Sequence, residues 1–344
     1  MLRKSYSGVA NSIIGQANAT TDSNAAIIYG AGNTVTNSYR AIDPSKFDLS
    51  KVEQDIAKKD AAAVAKDLQA AVSTSGGQVM VMGGGNTVDK AYMTQVTGVG
   101  NKVTGADSTY AEDTSTQYNF VDGFQNELTN GKHDYIIGSN NKVSGDSVDK
   151  NQSNIIFGDN HKLTNQKNNV IIGSSNTADD ETTVSDAVII GHNAKASAEG
   201  GVAIGSGSEA SVAGQKTEGY DPTTGKDSTG TTATWQATNA AVSIGKADGT
   251  VTRQINGLAA GTNDTDAVNV AQLKKLEGMK ANIDATNIGK NLKGADGNTA
   301  STEEITANEN AWGTALGVGI VSRFERNGCK KERLPAARHR WYGL

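Results

Sequence analysis

The stretch NNVIIGSSNTA, residues 168–178, sets Val170, Ile171 and Ile172 in a row before Gly173 and Asn176. A half-exposed strand alternates apolar and polar side chains. This one is apolar at every position, so both of its faces need cover. Residues one and three before the glycine point to one side of a strand, and the residue two before points to the other. The same two-faced pattern holds in Tyr135, Ile136 and Ile137 and again in Ile155, Ile156 and Phe157.

Outward from this stretch, the glycine recurs as Gly15, Gly30, Gly83, Gly98, Gly123, Gly138, Gly158, Gly173, Gly191, Gly205 and Gly245. Intervals of 14 or 15 residues recur, and longer ones of 18, 20, 25, 40 and 53 mark insertions. Three positions after the glycine stands Asn18, Asn33, Asn86, Asn101, Asn126, Asn141 or Asn176. Five positions after it stands Val, Leu or Ala in all but the first and last copies. So short a period excludes helical-pair repeats and suits one coil of a β-solenoid, with two short strands and two tight turns. Asn tolerates left-handed backbone, and its amide can bond the same amide one coil above. The seven asparagines are therefore read as a turn ladder, with coils stacked ~4.8 Å apart.

A coil has a single interior, so the second apolar face calls for outside cover. A continuous exposed Val/Ile stripe would aggregate, and a second copy of the chain is the simplest partner. The strand carrying Ile136, Ile156, Ile171 and Ile189 is expected to form the core and the contact between copies. The pattern leaves dimer and trimer open. The alternative is a monomeric solenoid whose stripe is covered by a loop.

Composition narrows the function. The 344 residues carry a net charge of −5, only 5% aromatic residues and 40 glycines. That balance gives no footprint for nucleic acid. The single cysteine, Cys329, excludes an intrachain disulfide framework. No apolar run is long enough for a membrane helix, and the start, MLRKSYSGVANSIIGQ, has no continuous apolar region of a signal peptide. His133, His161, His192 and His339 are scattered, and His161 and His192 fall at or near the ladder turn, which favours structural roles. GYDPTTGKD (219–227) has one residue too many between its glycines for a phosphate loop, and Asp227 replaces the needed hydroxyl. No nucleophile has a base beside it, and paired acids such as Asp179 and Asp180 lie in polar segments. No catalytic residue, cofactor or metal is expected.

Two insertions interrupt the repeat. In residues 43–77, Ser50 and Glu53 read as a capping box, and Val52, Ile56, Val64, Leu68 and Val72 keep helical spacing. They predict one helix over about 50–72, ended near Gly76 and packed on the rod, with a binding protrusion as the other option. Residues 214–236 read as a surface loop pinned by Tyr220 and Trp235.

After the last coil comes VTRQINGLAAGTNDTDAVNVAQLKKLE, residues 251–277. It resembles the neck of trimeric autotransporter adhesins, bacterial surface fibres related to the YadA adhesin of Yersinia. The matching residues include Arg253, Gln254, Ile255, Asp264, Asp266, Asn269, Gln272 and Leu273. The 219–235 loop and GVAIGSGSEA (201–210) are similar to parts of such heads. The resemblance implies an all-β solenoid, a left-handed parallel β-roll head in three copies, followed by a neck and a short coiled-coil start. It also implies a cell-surface or outer-membrane location, a homotrimer, and binding to extracellular-matrix proteins, cell-surface receptors or glycans, with no enzyme activity. A membrane is involved only through a C-terminal anchor absent from this sequence. Leu273, Leu276, Lys280 and Ile283 are spaced as heptad core positions, with Lys280 and Gly278 weakening them.

The organisation read from the sequence is a head over residues 1–36, 78–213 and 237–252, interrupted by the helical insertion at 37–77 and the loop at 214–236. A neck follows at 253–277, a polar stalk-like segment at 278–320 and a basic tail at 321–344. The tail departs from the family pattern, and a frameshifted or truncated reading frame is expected there, with a genuine basic tail as the alternative. The functional alternatives are a structural spacer of the same fibre and, less favoured, a solenoid polysaccharide-active enzyme, which would need a groove of clustered acids or histidines.

Overall fold

The computed structural model describes residues 10–40, 48–74, 77–107, 110–177, 181–214 and 219–281. The basic tail, the stalk-like segment from residue 282 on, Gly76 and Ala178 lie outside the described residues. Met1–Gln254 form one compact unit and Ile255–Leu344 a second, so the neck motif is divided immediately after Gln254.

Each glycine lies within or shortly after a strand of one parallel sheet, eleven-stranded among the described residues, running from Ser12–Gln16 to Val242–Ser243 in chain order. The register sets glycine on glycine: Gly83 opposite Gly98, Gly98 opposite Gly123, Gly123 opposite Gly138. A second parallel sheet of eight strands carries the residues five after the glycine, with Val103 beside Leu128 and Leu128 beside Val143. The chain is therefore a parallel β-solenoid, one coil per repeat. Order along the chain equals order along the stack because each coil is too short to reach past its neighbour.

The interior is a thin double row. Residues two before the glycine, such as Val96, Val121, Ile136, Ile156 and Ile171, meet those five after it, such as Val103, Leu128, Val143 and Leu163, and all are at most 1% exposed. β-branched side chains suit this place because they pack flat on the pleated surface.

The coil turns three times where two turns were expected. Left-handed residues stand two after the glycine (Gln125, φ 53°; Asn140, φ 58°), seven after it (Asn130, φ 53°; Asn165, φ 57°) and five before it (Tyr118, φ 58°; His133, φ 58°). The third corner creates a short third side, in which Ala91–Tyr92 pairs with Thr116–Gln117. Its corners are occupied by varied residues, so no single residue type marks them in the sequence.

The helical insertion is a hairpin of two helices instead of one. Helix α1 is Leu49–Ala57 and α2 is Ala61–Thr74. Asp48, not Ser50, caps α1 by accepting from the Ser50 and Lys51 amides. Lys59 turns left-handed at φ 59°, and Asp60 accepts from Ala63 N to start α2. A carboxylate directly before an alanine run is a helix start, which overrides the continuous apolar spacing. The two helices pack on each other, and Lys51 Nζ meets Asp67 at 2.8 Å.

The 214–236 loop holds a small antiparallel pair, Tyr220–Asp221 with Lys226–Asp227. Trp235 anchors it through the bond from Gly219 N to Trp235 O, whereas the Tyr220 side chain is 66% exposed.

Arg253 closes the coil stack. Its guanidinium donates to Ser206 O, Ile244 O and Ser208 Oγ, the last at 3.0 Å. It stands over Gly205, where earlier coils place the next glycine carbonyl. Replacing Arg253 by Ala leaves these main-chain acceptors to water. The expected outcome is faster amide exchange in residues 202–210 and 242–245 with unchanged exchange in the coils around Ile136, read by hydrogen–deuterium exchange.

Candidate functional site

Two columns of polar side chains and one apolar stripe are the features the repeat builds. The first column is the asparagine ladder. Asn101 donates its main-chain N and its Nδ2 to Asn86 Oδ1, both at 3.0 Å, and Nδ2 also reaches Gly123 O at 2.9 Å. Asn33, Asn86, Asn126 and Asn141 repeat this arrangement, with Asn18 at its first rung. Each amide thus saturates its oxygen with the coil after and its nitrogen with the coil before and the next glycine carbonyl.

Asn176 departs from the ladder. It is exposed, and its N–H bonds Asn193 Oδ1. The 18-residue interval between Gly173 and Gly191 explains this, because the second strand of that coil sits at Glu181–Thr182 instead of five after the glycine. His161 takes the rung above Asn141, donating its main-chain N–H to Asn141 Oδ1 at 2.9 Å with its ring on Gly173 O. A histidine there serves the turn.

A second column, four residues before the glycine, escaped the sequence reading. Asn119 Oδ1 receives Asp134 N, Asp134 Oδ1 receives Asn154 N and Nδ2, and Asn154 Oδ1 receives Asn169 N and Nδ2. The signal was present as Asn, Asp, Asn and Asn at one repeat offset, masked by Thr94 and Ala187 at the same offset in other coils.

The apolar stripe lies on the outer face of the first sheet. Ile136, Ile156, Ile171 and Ile189 point inward and are at most 2% exposed, so a single chain already covers them. The apolar side chains that remain exposed are their outward neighbours. Ile14, Tyr29, Met82, Phe157, Ile172, Ile190 and Ile204, each one before a glycine, are 37–57% exposed. Tyr135, three before Gly138, adds 47%. The stripe runs the length of the sheet and is interrupted by Thr97 and Asp122. The second sheet faces outward with Lys102, Glu127, Lys142 and Lys162 in register, a solvated surface. The helical hairpin carries an open apolar groove of about 410 Å³ lined by residues including Ile56, Val64 and Leu68, with Ile56 60% exposed.

The neck motif is a self-contained set of caps. Asn269 and Gln272 form a reciprocal capping box at the start of helix α3, Val270–Ala281: Gln272 N donates to Asn269 Oδ1, and Asn269 N to Gln272 Oε1, both at 3.1 Å. Gln272 Nε2 also holds Gly261 O at 3.0 Å, and Asn269 Nδ2 holds Leu258 O. Asp266 Oδ2 accepts from the amides of Asn263 and Thr262 at 2.9 Å, and these bonds hold its carboxyl below the ordinary range. Gln254 and Asp264 are exposed. Ile255, Val268, Val270, Leu273 and Leu276 are 52–68% exposed, a second run of apolar side chains left without cover inside one chain. Among the described residues no three His, Cys, Asp or Glu side chains converge to hold a metal, and no helix is long and apolar enough to cross a membrane.

Comparison with known proteins agrees with this geometry. Residues 254–301 match the family described as the coiled stalk of trimeric autotransporter adhesin. Over 61 residues the chain is 54% identical to autotransporter adhesin BadA of Bartonella henselae, a match covering 18% of this chain and 2% of that protein. Over 109 residues it is 37% identical to trimeric autotransporter adhesin AtaA of Acinetobacter sp. (strain Tol 5), covering 27% of this chain and 3% of that protein. The chain thus spans a few per cent of the length of the curated relatives it matches.

Proposed function

From the premise that the chain belongs to the trimeric autotransporter adhesins, we propose that it is the head and neck of a cell-surface fibre that attaches by multivalent contact. Three copies pack their apolar stripes about a common axis, and the fibre stands on the outer membrane of the bacterium. The targets are extracellular-matrix proteins, host-cell receptors or glycans, or other bacterial cells. The observation that carries the reading is the exposed column Phe157, Ile172, Ile190 and Ile204, on the face opposite a fully formed core. A chain with its core complete has no internal use for a second apolar face, and burial returns roughly 25 cal/mol per Å² of it. Closing the axis leaves the second sheet, the helical hairpin and the 214–236 loop facing outward in triplicate. Weak single contacts then add as avidity. The reading assigns no catalysis.

The test is binding of the full chain to immobilised collagen, fibronectin and whole bacterial or host cells, beside a variant lacking the hairpin residues 43–76. Retention that falls when the chain is made monomeric supports an adhesive head. No retention on any of these surfaces by a verified trimer favours a spacer of the same fibre.

A further inference from the structure

The second ladder contains one residue whose chemistry does not match its place. Asn154 shows what an amide does in this column. Its Nδ2 donates to Asp134 Oδ1 at 3.0 Å, and also to Gln166 O and Asn151 Oδ1. Asn119, one coil before Asp134, likewise donates Nδ2 to a main-chain carbonyl, Gly131 O, at 2.8 Å. The nitrogen side of each rung is therefore a donor position.

Asp134 occupies this column with two oxygens. It is 0% exposed. Oδ1 plays the acceptor part, taking Asn154 N at 2.9 Å and Asn154 Nδ2 at 3.0 Å. Its own N–H bonds Asn119 Oδ1 at 3.0 Å, as every rung does. Oδ2 stands where the amide nitrogen belongs and has no hydrogen-bond partner. It is packed closely: a Cβ on Gly131 would lie 2.5 Å from it.

We propose that Asp134 is a buried proton-binding site: it is carried as the neutral acid, with the proton on Oδ2 donating toward Asn119 Oδ1 in place of the missing amide hydrogens, and the coils it joins are tightest when that proton is present. One proton from water is taken up per chain as the carboxylate becomes carboxylic acid, and no other bond changes. The groups that face the carboxyl are uncharged. Asn119 comes from the coil before, Asn154 and Asn151 from the coil after, and Gly131 and Leu128 from its own coil. The nearest titratable side chains along the chain point away. Lys132 Nζ donates to Glu112 O, and the His133 ring stacks on Tyr118 at the exposed corner, centroids 4.9 Å apart. No cation compensates a negative charge, so burial raises the carboxyl to about 7 against the Asn154 bonds and the nearby Lys132 main-chain N–H, which lower it.

The sign follows from linkage. The native state holds the proton up to about 7, while the unfolded chain loses it near 3.8. Between these values the native state binds more protons, so stability falls as pH rises through this window and stays low above it. The opposite trend is the usual one for a salt-bridged carboxylate.

Asp134→Asn restores the column's own residue and removes the titration. With the full chain, thermal unfolding is compared at about pH 5 and about pH 8. The expected result is that the variant's gain in melting temperature over the wild type is small at the acid pH and grows to several degrees at the alkaline pH. In the wild type alone, infrared spectroscopy should show a buried protonated-carboxyl band in acid that disappears toward alkaline pH and is absent from the variant. Equal melting differences at both pH values, or no such band in the folded acid form, overturns the proposal.

Discussion

Gly123→Ala disrupts the middle of the solenoid. A Cβ at this position would lie 1.9 Å from Gly138 O and 2.8 Å from Gly138 C, and the backbone sits at φ +125°. That conformation costs an L-residue about 1–3 kcal/mol by itself. The clash is with backbone of the next coil, so relief requires the two coils to part. Parting them breaks the Gly–Gly register and the bonds of Asn126 Nδ2 to Gly138 O and of Asn141 Nδ2 to Asn126 Oδ1. Each buried group left unpaired adds about 1–3 kcal/mol. The sum, roughly 3–9 kcal/mol, is comparable to the stability of an ordinary domain. The check is thermal unfolding beside Gly85→Ala, where the added Cβ meets nothing within 4 Å and only φ +63° is unfavourable. That control should lose only about 1 kcal/mol. Equal melting temperatures for the two variants would show that the close glycine column does not hold the coils together.

Phe157→Lys combined with Ile172→Lys separates the copies and leaves each chain folded. Both side chains leave the strand on the face away from the core, 43% and 42% exposed, while Ile156 and Ile171 between them stay buried. The substitution therefore removes nothing from the interior of a coil. In a closed assembly it places six ammonium groups near one axis without partners, which costs several kcal/mol per buried charge after relaxation. Association weakens by at least about a thousandfold. Sedimentation should give a monomer with an unchanged far-ultraviolet spectrum, beside a trimeric wild type. Lys142→Glu, on the solvated face of the second sheet, should sediment as wild type. A double variant that stays trimeric at wild-type stability would mean that the stripe is not the contact.

The two variants divide the roles that the repeat compresses into one string. The glycine joins coil to coil along the rod, and the residue before it is the one proposed to join chain to chain. Only the first role can be tested within a single polypeptide, which is why the neck shows the same division. Asn269 and Gln272 satisfy each other at the start of α3, whereas Leu273 and Leu276 remain exposed.

Much of this was legible without coordinates. The 14- to 15-residue period, the glycine column, six of the seven ladder asparagines and the alternation around Ile136, Ile156 and Ile171 follow from local chemistry repeated at a fixed spacing. Such repetition constrains every coil to the same backbone, so pattern alone suffices. Four features needed the tertiary structure. The inward or outward sense of Ile171 against Ile172 depends on which side the second sheet closes. The third corner uses Tyr118, His133, Ser153 and Asn168, side chains with no common type, because only backbone conformation is shared there. Asn176 leaves the ladder because coil length, not residue identity, decides which side chain reaches the rung below, whereas His161 holds the rung that its place three after Gly158 marks. The unmatched oxygen of Asp134 becomes a chemical fact only when Asn119 and Asn154 are stacked on either side of it, since a carboxylate and an amide are interchangeable on paper and differ by a proton once water is excluded.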